Sequence, residues 1–321
     1  MSSFPYIALF SSTLVFRTLI ALSASHWLII WIALELNILS FIPLIIFSSN
    51  HQETEAAIKY FLAQALGSRL LLLSATITTK LTPILLFSLL IKAGIAPFHY
   101  WFPLVIRTRR WIICLLLTTW QKLIPLRLIL FIFSAQFPSL ITTVGTLRAI
   151  IGGLGGLNQT QIRPLLAYSS IGHIGWMLVA RQTSSSVATI YFLIYILISI
   201  PLISTAWIRN SFSIKFSNQT ILTSPHLIIM LLLLLSLGGI PPFLGFFPKW
   251  ILLLKIKSII VAILLITGSL INLFYYLNIV FSIFLQSNIA TLPNSPSISP
   301  TISLLSTLAI LPFPAITLII T

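Results

Sequence analysis

The sequence predicts an all-α polytopic membrane protein of about eleven transmembrane helices. Three observations carry that prediction. Of its 321 residues 58% are hydrophobic and only 7% are charged, with a mean hydropathy of +1.10. A soluble domain of that size needs far more charge on its surface. Apolar stretches near the ~20 residues that cross a bilayer recur along the whole chain. Lastly, a ten-residue motif occurs twice, each time inside a long apolar run that its Pro and Gly must break.

The stretches lie at roughly 5–22, 26–48, 55–78, 82–105, 111–134, 138–156, 163–180, 186–207, 226–254, 258–285 and 302–320. Only 208–225 and 286–301 leave room for a loop of any size. The ten-residue alternating segments of a membrane barrel are absent, so helices do the spanning. The organisation expected is a single transmembrane domain, with one repeat over about 5–134, a second over about 138–285 and a C-terminal helix over about 302–320.

The duplicated motif is Gly-Ile-Ala-Pro-Phe-His-Tyr-Trp-Phe-Pro at 94–103 and Gly-Ile-Pro-Pro-Phe-Leu-Gly-Phe-Phe-Pro at 239–248; six of the ten positions are identical. Lys92 stands just before the first copy and Lys249 just after the second. Transporters use paired interrupted helices of this kind, because an unwound turn at mid-depth offers backbone groups and half-helix ends to an ion path.

Ionisable residues inside spans cost about 2.5–3.5 kcal/mol each on insertion scales, so each is a functional candidate. Glu35 sits mid-segment in Trp-Ile-Ala-Leu-Glu-Leu-Asn (31–37), and its helical neighbours Trp31, Ile32, Ile38 and Leu39 offer no partner. It must meet a cation from another helix, or water, or stay protonated. Lys122 lies in 111–134 beside Gln121, one turn past Thr118 and Thr119 and just before Pro125, a polar pocket on another interrupted helix. Burial disfavours the charged form of a lysine and a nearby carboxylate restores it, so one glutamate and three lysines form a set whose protonation can be switched. Lys249, close to a helix end, can also snorkel.

Among the histidines, His26, His51 and His226 fall at segment ends and read as interfacial. His99 lies in the first motif copy. His173 lies inside 163–180, one turn from the hydroxyls of Tyr168, Ser169 and Ser170, and its segment stands two before the second break, as the Glu35 segment stands two before the first. Pseudo-symmetry therefore pairs His173 with Glu35. Arg17 and Arg148 are near enough to segment ends to snorkel, whereas Arg69 and Arg127 are deeper and point to a partner chain.

Net charge is +15, yet the basic residues are scattered in ones and twos with no joined basic face. Loops facing anionic phospholipid explain that pattern, and no nucleic-acid partner is expected. Arg107, Arg109, Arg110, Arg163, Arg209 and Lys215 fall on one side, and Lys80, Arg181, Lys255 and Lys257 on the other. That asymmetry favours an N-terminus on the interior side. Cys114 is the only cysteine, which excludes an intrachain disulfide and a Cys-based metal site. The N-terminus enters an apolar stretch directly, without a basic leader or Arg-rich transit peptide, and predicts insertion where the chain is made. Gly-Gly-Leu-Gly-Gly-Leu-Asn at 152–158 lacks the Lys-Ser/Thr of a nucleotide loop and reads as close helix packing.

Several of these runs resemble one family. They are 31–37, Lys-Tyr-Phe-Leu-Ala-Gln-Ala (59–65), Lys-Ala-Gly-Ile-Ala-Pro-Phe-His-Tyr-Trp (92–101) and Trp-Gln-Lys-Leu-Ile-Pro (120–125). Further along come Gly-Gly-Leu-Asn-Gln-Thr-Gln-Ile-Arg (155–163), Ala-Tyr-Ser-Ser-Ile-Gly-His (167–173) and Gly-Gly-Ile-Pro-Pro-Phe-Leu-Gly-Phe-Phe-Pro-Lys-Trp (238–250). Together they resemble the antiporter-like chain 2 subunits of mitochondrial NADH:ubiquinone oxidoreductase, respiratory complex I. The resemblance runs from about 27 to 250 and implies inverted five-helix repeats, each with a broken helix. It also implies that animal members lack three helices that bacterial members have, in keeping with eleven segments here. It makes Glu35 and Lys92 the family's Glu–Lys pair, Lys122 its central lysine and Lys249 its terminal lysine. The sister chain 4 carries glutamate at that last position. This sequence has Pro164 where many members carry a second basic residue after the arginine.

The function implied is proton translocation along Glu35, Lys92, Lys122, His173 and Lys249, coupled to electron transfer on other subunits. NAD, FMN, iron–sulfur clusters and ubiquinone belong to those other subunits, with no cofactor on this chain. The partners implied are chain 4, the small core membrane subunits and phospholipid, in the mitochondrial inner membrane with the N-terminus on the matrix side. Two rival readings share the fold: an Mrp-like cation/proton antiporter, and a structural spacer of the membrane arm with its ionisable residues as buried glue.

Overall fold

The structure is a computed structural model that describes residues 4–46, 51–77, 82–107, 110–130, 136–208, 225–286 and the single positions 303, 306, 307 and 309. Every regular element among the described residues is helical. The chain divides into two compact units, Met1–Gln136 and Phe137–Thr321.

The first unit opens with three long helices, α1 (Phe4–Ser23), α2 (Trp27–Ile45) and α3 (His51–Ile77). The expected span 82–105 is broken into α4 (Thr82–Lys92) and α5 (Trp101–Arg107). The span expected at 111–134 is interrupted as well: α6 (Trp111–Thr118), a 3₁₀ turn over Trp120–Lys122, then α7 (Leu123–Leu128). In the second unit α8 (Pro138–Leu157), α9 (Ile162–Thr183) and α10 (Ser185–Ile208) precede the second broken span. Its halves are α11 (Pro225–Gly238) and α12 (Phe246–Lys255), and α13 (Ile259–Gln286) follows. Most of the stretch expected at 302–320 lies outside the described residues.

By length and composition, seven helical stretches among the described residues can cross a membrane. The difference from eleven has a physical source. The two breaks leave apolar halves, Pro83–Lys92 and Leu227–Gly238, too short to span alone. Helix α9 is long enough but polar, and it hides this: from Ile162 to Ala180 all but one of its residues are buried.

Both breaks turn on a glycine in the left-handed region, Gly94 at φ +63° and Gly239 at φ +80°. At the first, the Gly94 amide donates to Ile91 O (3.0 Å) and the Ile95 amide reaches Leu90 O (2.8 Å). This paired pattern is the Schellman cap, which satisfies the carbonyls a helix frees when it ends. At the second, the Gly239 amide serves both Leu235 O (3.1 Å) and Ser236 O (3.0 Å). The sequence repeat is thus a repeat of backbone chemistry.

In the second unit glycine decides the packing. A Cβ at Gly152 of α8 would lie 2.6 Å from the Gly172 amide of α9, and one at Gly175 would lie 2.5 Å from Gly145 O. Helix α13 joins the same pack, where a Cβ on Gly268 would lie 2.5 Å from Ala149 O. The expectation of close packing along 152–158 holds. Arg148, expected to snorkel, is instead fully buried in this pack at 0% exposure. Arg17 donates to Leu36 O of α2, while Arg69 and Arg127 are exposed on the outside of their helices.

Gly94→Val and Gly239→Val should each sharply reduce assembled protein. A β-branched residue at positive φ costs at least about 1–2 kcal/mol, and its Cβ would crowd Trp101 and Phe102 (3.3 Å) or the Lys249 Nζ (2.7 Å). Native gels of the two variants check this; normal levels of both would mean that the turns tolerate ordinary residues.

Candidate functional site

Helix α2 buries one face through Leu34, Asn37, Ile38 and Phe41. Glu35 is next to that face and half-buried, and its Oε2 is enclosed with no hydrogen-bond partner among protein atoms. Lys92 is the last residue of α4, placed there by the cap at Gly94, and is 4% exposed. Its stem lies against α3, where a Cβ on Gly67 would sit 2.8 Å from Lys92 Cγ; its Nζ has no protein hydrogen-bond partner. Lys92 is a cation from another helix whose charge Glu35 feels. The two interact electrostatically without a hydrogen bond or close ion pair between them.

The carbonyls beside Lys92 are held by side chains from elsewhere. Gln64 of α3 donates to Lys92 O (3.1 Å) and the Trp101 indole of α5 donates to Ile91 O (3.2 Å). Lys122 closes the 3₁₀ turn, 2% exposed, with its ammonium 4.1 Å from the centre of the Phe102 ring on α5. Gln121, its neighbour, accepts a hydrogen bond from the Asn37 amide (2.8 Å).

These groups line one cavity. Asn37, Tyr60, Gln64, Lys92, Gln121 and Lys122 surround a space of about 20 Å³, counted as room for the centre of a water-sized sphere. Such a space holds about one water. Lys92 and Lys122 thus share a polar chamber between the first break and the second interruption. Asn37, Tyr60 and Gln64 were missed as site residues in the sequence. The signal was present for Asn37 and Gln64, which are uncharged polar residues in otherwise apolar runs.

The second unit holds His173 and Lys249. His173 is 6% exposed and its Nδ1 is 3.1 Å from the Tyr191 hydroxyl of α10, with the Tyr195 ring centred 5.3 Å away. Ser169 and Ser170 of the same helix donate to Leu166 O (2.9 Å) and Ala167 O (2.7 Å). The Tyr191 hydroxyl comes from another helix, which sequence spacing does not reveal. Lys249 is 5% exposed and donates from Nζ to Gly238 O (2.8 Å), the end of the preceding half-helix. It does not snorkel. Its ammonium also lies 5.9 Å from the Trp176 ring, one turn along α9 from His173.

Known proteins resemble this chain in sequence and fold. The family described as NADH:quinone oxidoreductase/Mrp antiporter, TM, matches residues 24–82 and 76–274. NADH-ubiquinone oxidoreductase chain 2 of Lumbricus terrestris is 44% identical over 290 residues, covering 87% of each chain. The chain belongs to the chain 2 branch of the NADH:quinone oxidoreductase/Mrp antiporter family. Among solved structures, a chain of respiratory complex I from Thermus thermophilus superposes with a TM-score of 0.76 at 25% identity, over 94% of this chain and 75% of that one. A chain of the Mrp complex from Dietzia sp. DQ12-45-1b gives 0.75 at 20% identity. There 88% of this chain is covered, and it spans only 60% of the Mrp chain's length. The shared fold of the family is the antiporter-like membrane fold with broken helices.

Replacing Asn37 or Gln121 alone by leucine should cost about 1–3 kcal/mol, because the remaining amide is left buried without its partner. Replacing both should cost less than the sum of the two. Thermal unfolding of the purified complex tests this, and strict additivity would show that the Asn37–Gln121 bond carries no energy.

Proposed function

We propose that this chain is a proton-translocating membrane-arm subunit of a respiratory NADH:ubiquinone oxidoreductase, with Glu35, Lys92, Lys122, His173 and Lys249 as the groups that move protons. The observation that carries the reading is the placement of buried amines at helix breaks. Lys92 and Lys249 both sit at glycine-capped interruptions, and Lys122 sits on a third. A break in mid-span costs backbone hydrogen bonds, and a buried amine costs solvation. Their coincidence three times over is what a path for charge requires. The relatives named NADH-ubiquinone oxidoreductase chain 2 support the assignment of the complex.

In this reading Lys92 and Lys122 exchange a proton through the small polar chamber, and Glu35 sets how firmly Lys92 holds its charge. In the second unit Tyr191 orients the His173 ring, and Lys249 exchanges its proton while holding the end of α11. The organisation is one membrane domain of two inverted repeats, about 5–134 and 138–285, with a C-terminal helix at about 302–320. Chain 4 and the small core membrane subunits flank it. NAD, FMN, iron–sulfur clusters and ubiquinone act on other subunits of the complex. The location is the mitochondrial inner membrane, with the N-terminus on the matrix side, in line with the lysine and arginine asymmetry of the loops.

Lys122→Arg separates transfer from charge. Arginine keeps a positive charge but does not release its proton at any accessible pH. The variant should therefore lose proton uptake nearly as fully as Lys122→Met, with transfer slowed roughly a hundredfold or more. Proton uptake per NADH oxidised in reconstituted complex is the measurement. Full pumping with arginine would reduce Lys122 to a fixed charge and leave the spacer reading standing.

Glu35→Gln should leave assembly intact and weaken coupled turnover, because it removes the anion that Lys92 feels while keeping the side chain's shape. Native gels together with NADH:quinone turnover read the two effects apart; an unassembled complex would make Glu35 structural. Sodium transport by the isolated chain would instead favour the antiporter reading.

A further inference from the structure

A cavity near the helix ends of the second unit is lined by none of the residues of the proposed proton path. It measures about 610 Å³, as room for the centre of a water-sized sphere, and lies where α9 and α12 end and α8 and α13 begin. Lys255 and Lys257 line it together with the hydroxyl residues Ser258, Thr142 and Thr183. Gln182 adds an amide, and Val179, Ile256 and Val261 complete the wall. Both lysines are exposed, and neither makes a hydrogen bond or ion pair within the described residues. Among the described residues neither has an acidic partner.

We propose that this cavity binds the phosphate headgroup of an anionic phospholipid. Three features select that ligand. Two lysines and the Ser258 hydroxyl offer donors to a phosphate, and the N-terminal end of α13 adds the positive pole of a helix. The Thr142 and Thr183 hydroxyls donate to Ser139 O and Ala180 O of their own helices. A space of this size suits a headgroup with its glycerol rather than a bare ion. The cavity also opens next to a surface built for acyl chains. Leu254 is 68% exposed, Ile259 76%, Ile260 73% and Ile263 53%, and these residues flank the lysines in sequence at the end of a membrane-spanning helix. A charged pocket that continues into an apolar surface at interfacial depth matches an anionic lipid at both ends. An acidic segment of a partner chain would use the lysines and leave the apolar surface unexplained.

The test is photolabelling of the intact complex in nanodiscs with a diazirine-bearing phosphatidylglycerol, followed by peptide mapping. Nanodiscs carrying the same probe built on phosphatidylcholine provide the comparison. Labelling should concentrate between 254 and 263 with the anionic probe and be much weaker with the zwitterionic one. Lys255→Gln and Lys257→Gln should each reduce that preference roughly fivefold, and Lys255→Arg with Lys257→Arg should retain it, with native gels verifying assembly. Equal labelling by both probes would overturn the proposal. So would loss of labelling on adding inorganic phosphate, which would assign the site to a free anion. Absence of labelling in the assembled complex, with labelling elsewhere on its surface, would assign the cavity to a partner chain and also reject the lipid. The wild-type comparison decides the matter even if a variant fails to assemble.

Discussion

Within a bilayer a helix can stop halfway only if the carbonyls it frees find donors inside the protein, because no water is at hand to take them. The rest of this structure depends on that constraint. Gly94 and Gly239 meet it in the backbone by adopting positive φ and turning their amides back onto the preceding turn. Side chains finish the work: Gln64 and Trp101 at the first break, Lys249 at the second. The residues that end the half-helices are thereby the residues that position the buried amines. A substitution that disturbs a cap moves an ammonium, and fold and site cannot be changed independently.

The two breaks solve the same problem with the lysine on opposite sides. Lys92 is the last residue of its first half-helix and lines the same chamber as Lys122. Lys249 belongs to the second half-helix and reaches back to the carbonyl end of the first. In each case a positive group stands at the negative pole of a half-helix, where such a group is favoured. The placement alternates while the electrostatics is conserved in kind.

Much of this was legible in the sequence, for reasons that differ by residue. The breaks could be read because Gly and Pro punctuate apolar runs and the run itself occurs twice. Glu35, Lys92, Lys122 and Lys249 stood out because charge is costly in a span, and the structure buries all three lysines. The number of spanning helices was less legible, since α9 carries polar residues that only burial among α8, α10 and α13 makes tolerable. Asn37 and Gln64 stood out as polar residues in apolar runs, but what they and Tyr191 bond to lay across helices, and periodicity speaks only to neighbours along one helix. Arg148 shows the same limit: its depth follows from glycines on α9 and α13 that let the backbones approach.

The chamber of the first unit has a consequence for selectivity. A proton crosses hydrogen bonds by exchange of bonds and carries no bulk with it, so room for one water is enough. A sodium ion must bring oxygen ligands or find them in the wall. On the proposed proton path, about 20 Å³ of free space lined by Lys92 and Lys122 is room for about one water and not for a hydrated metal ion. Admitting metal cations would require a wider chamber and a carboxylate where one of the lysines now stands.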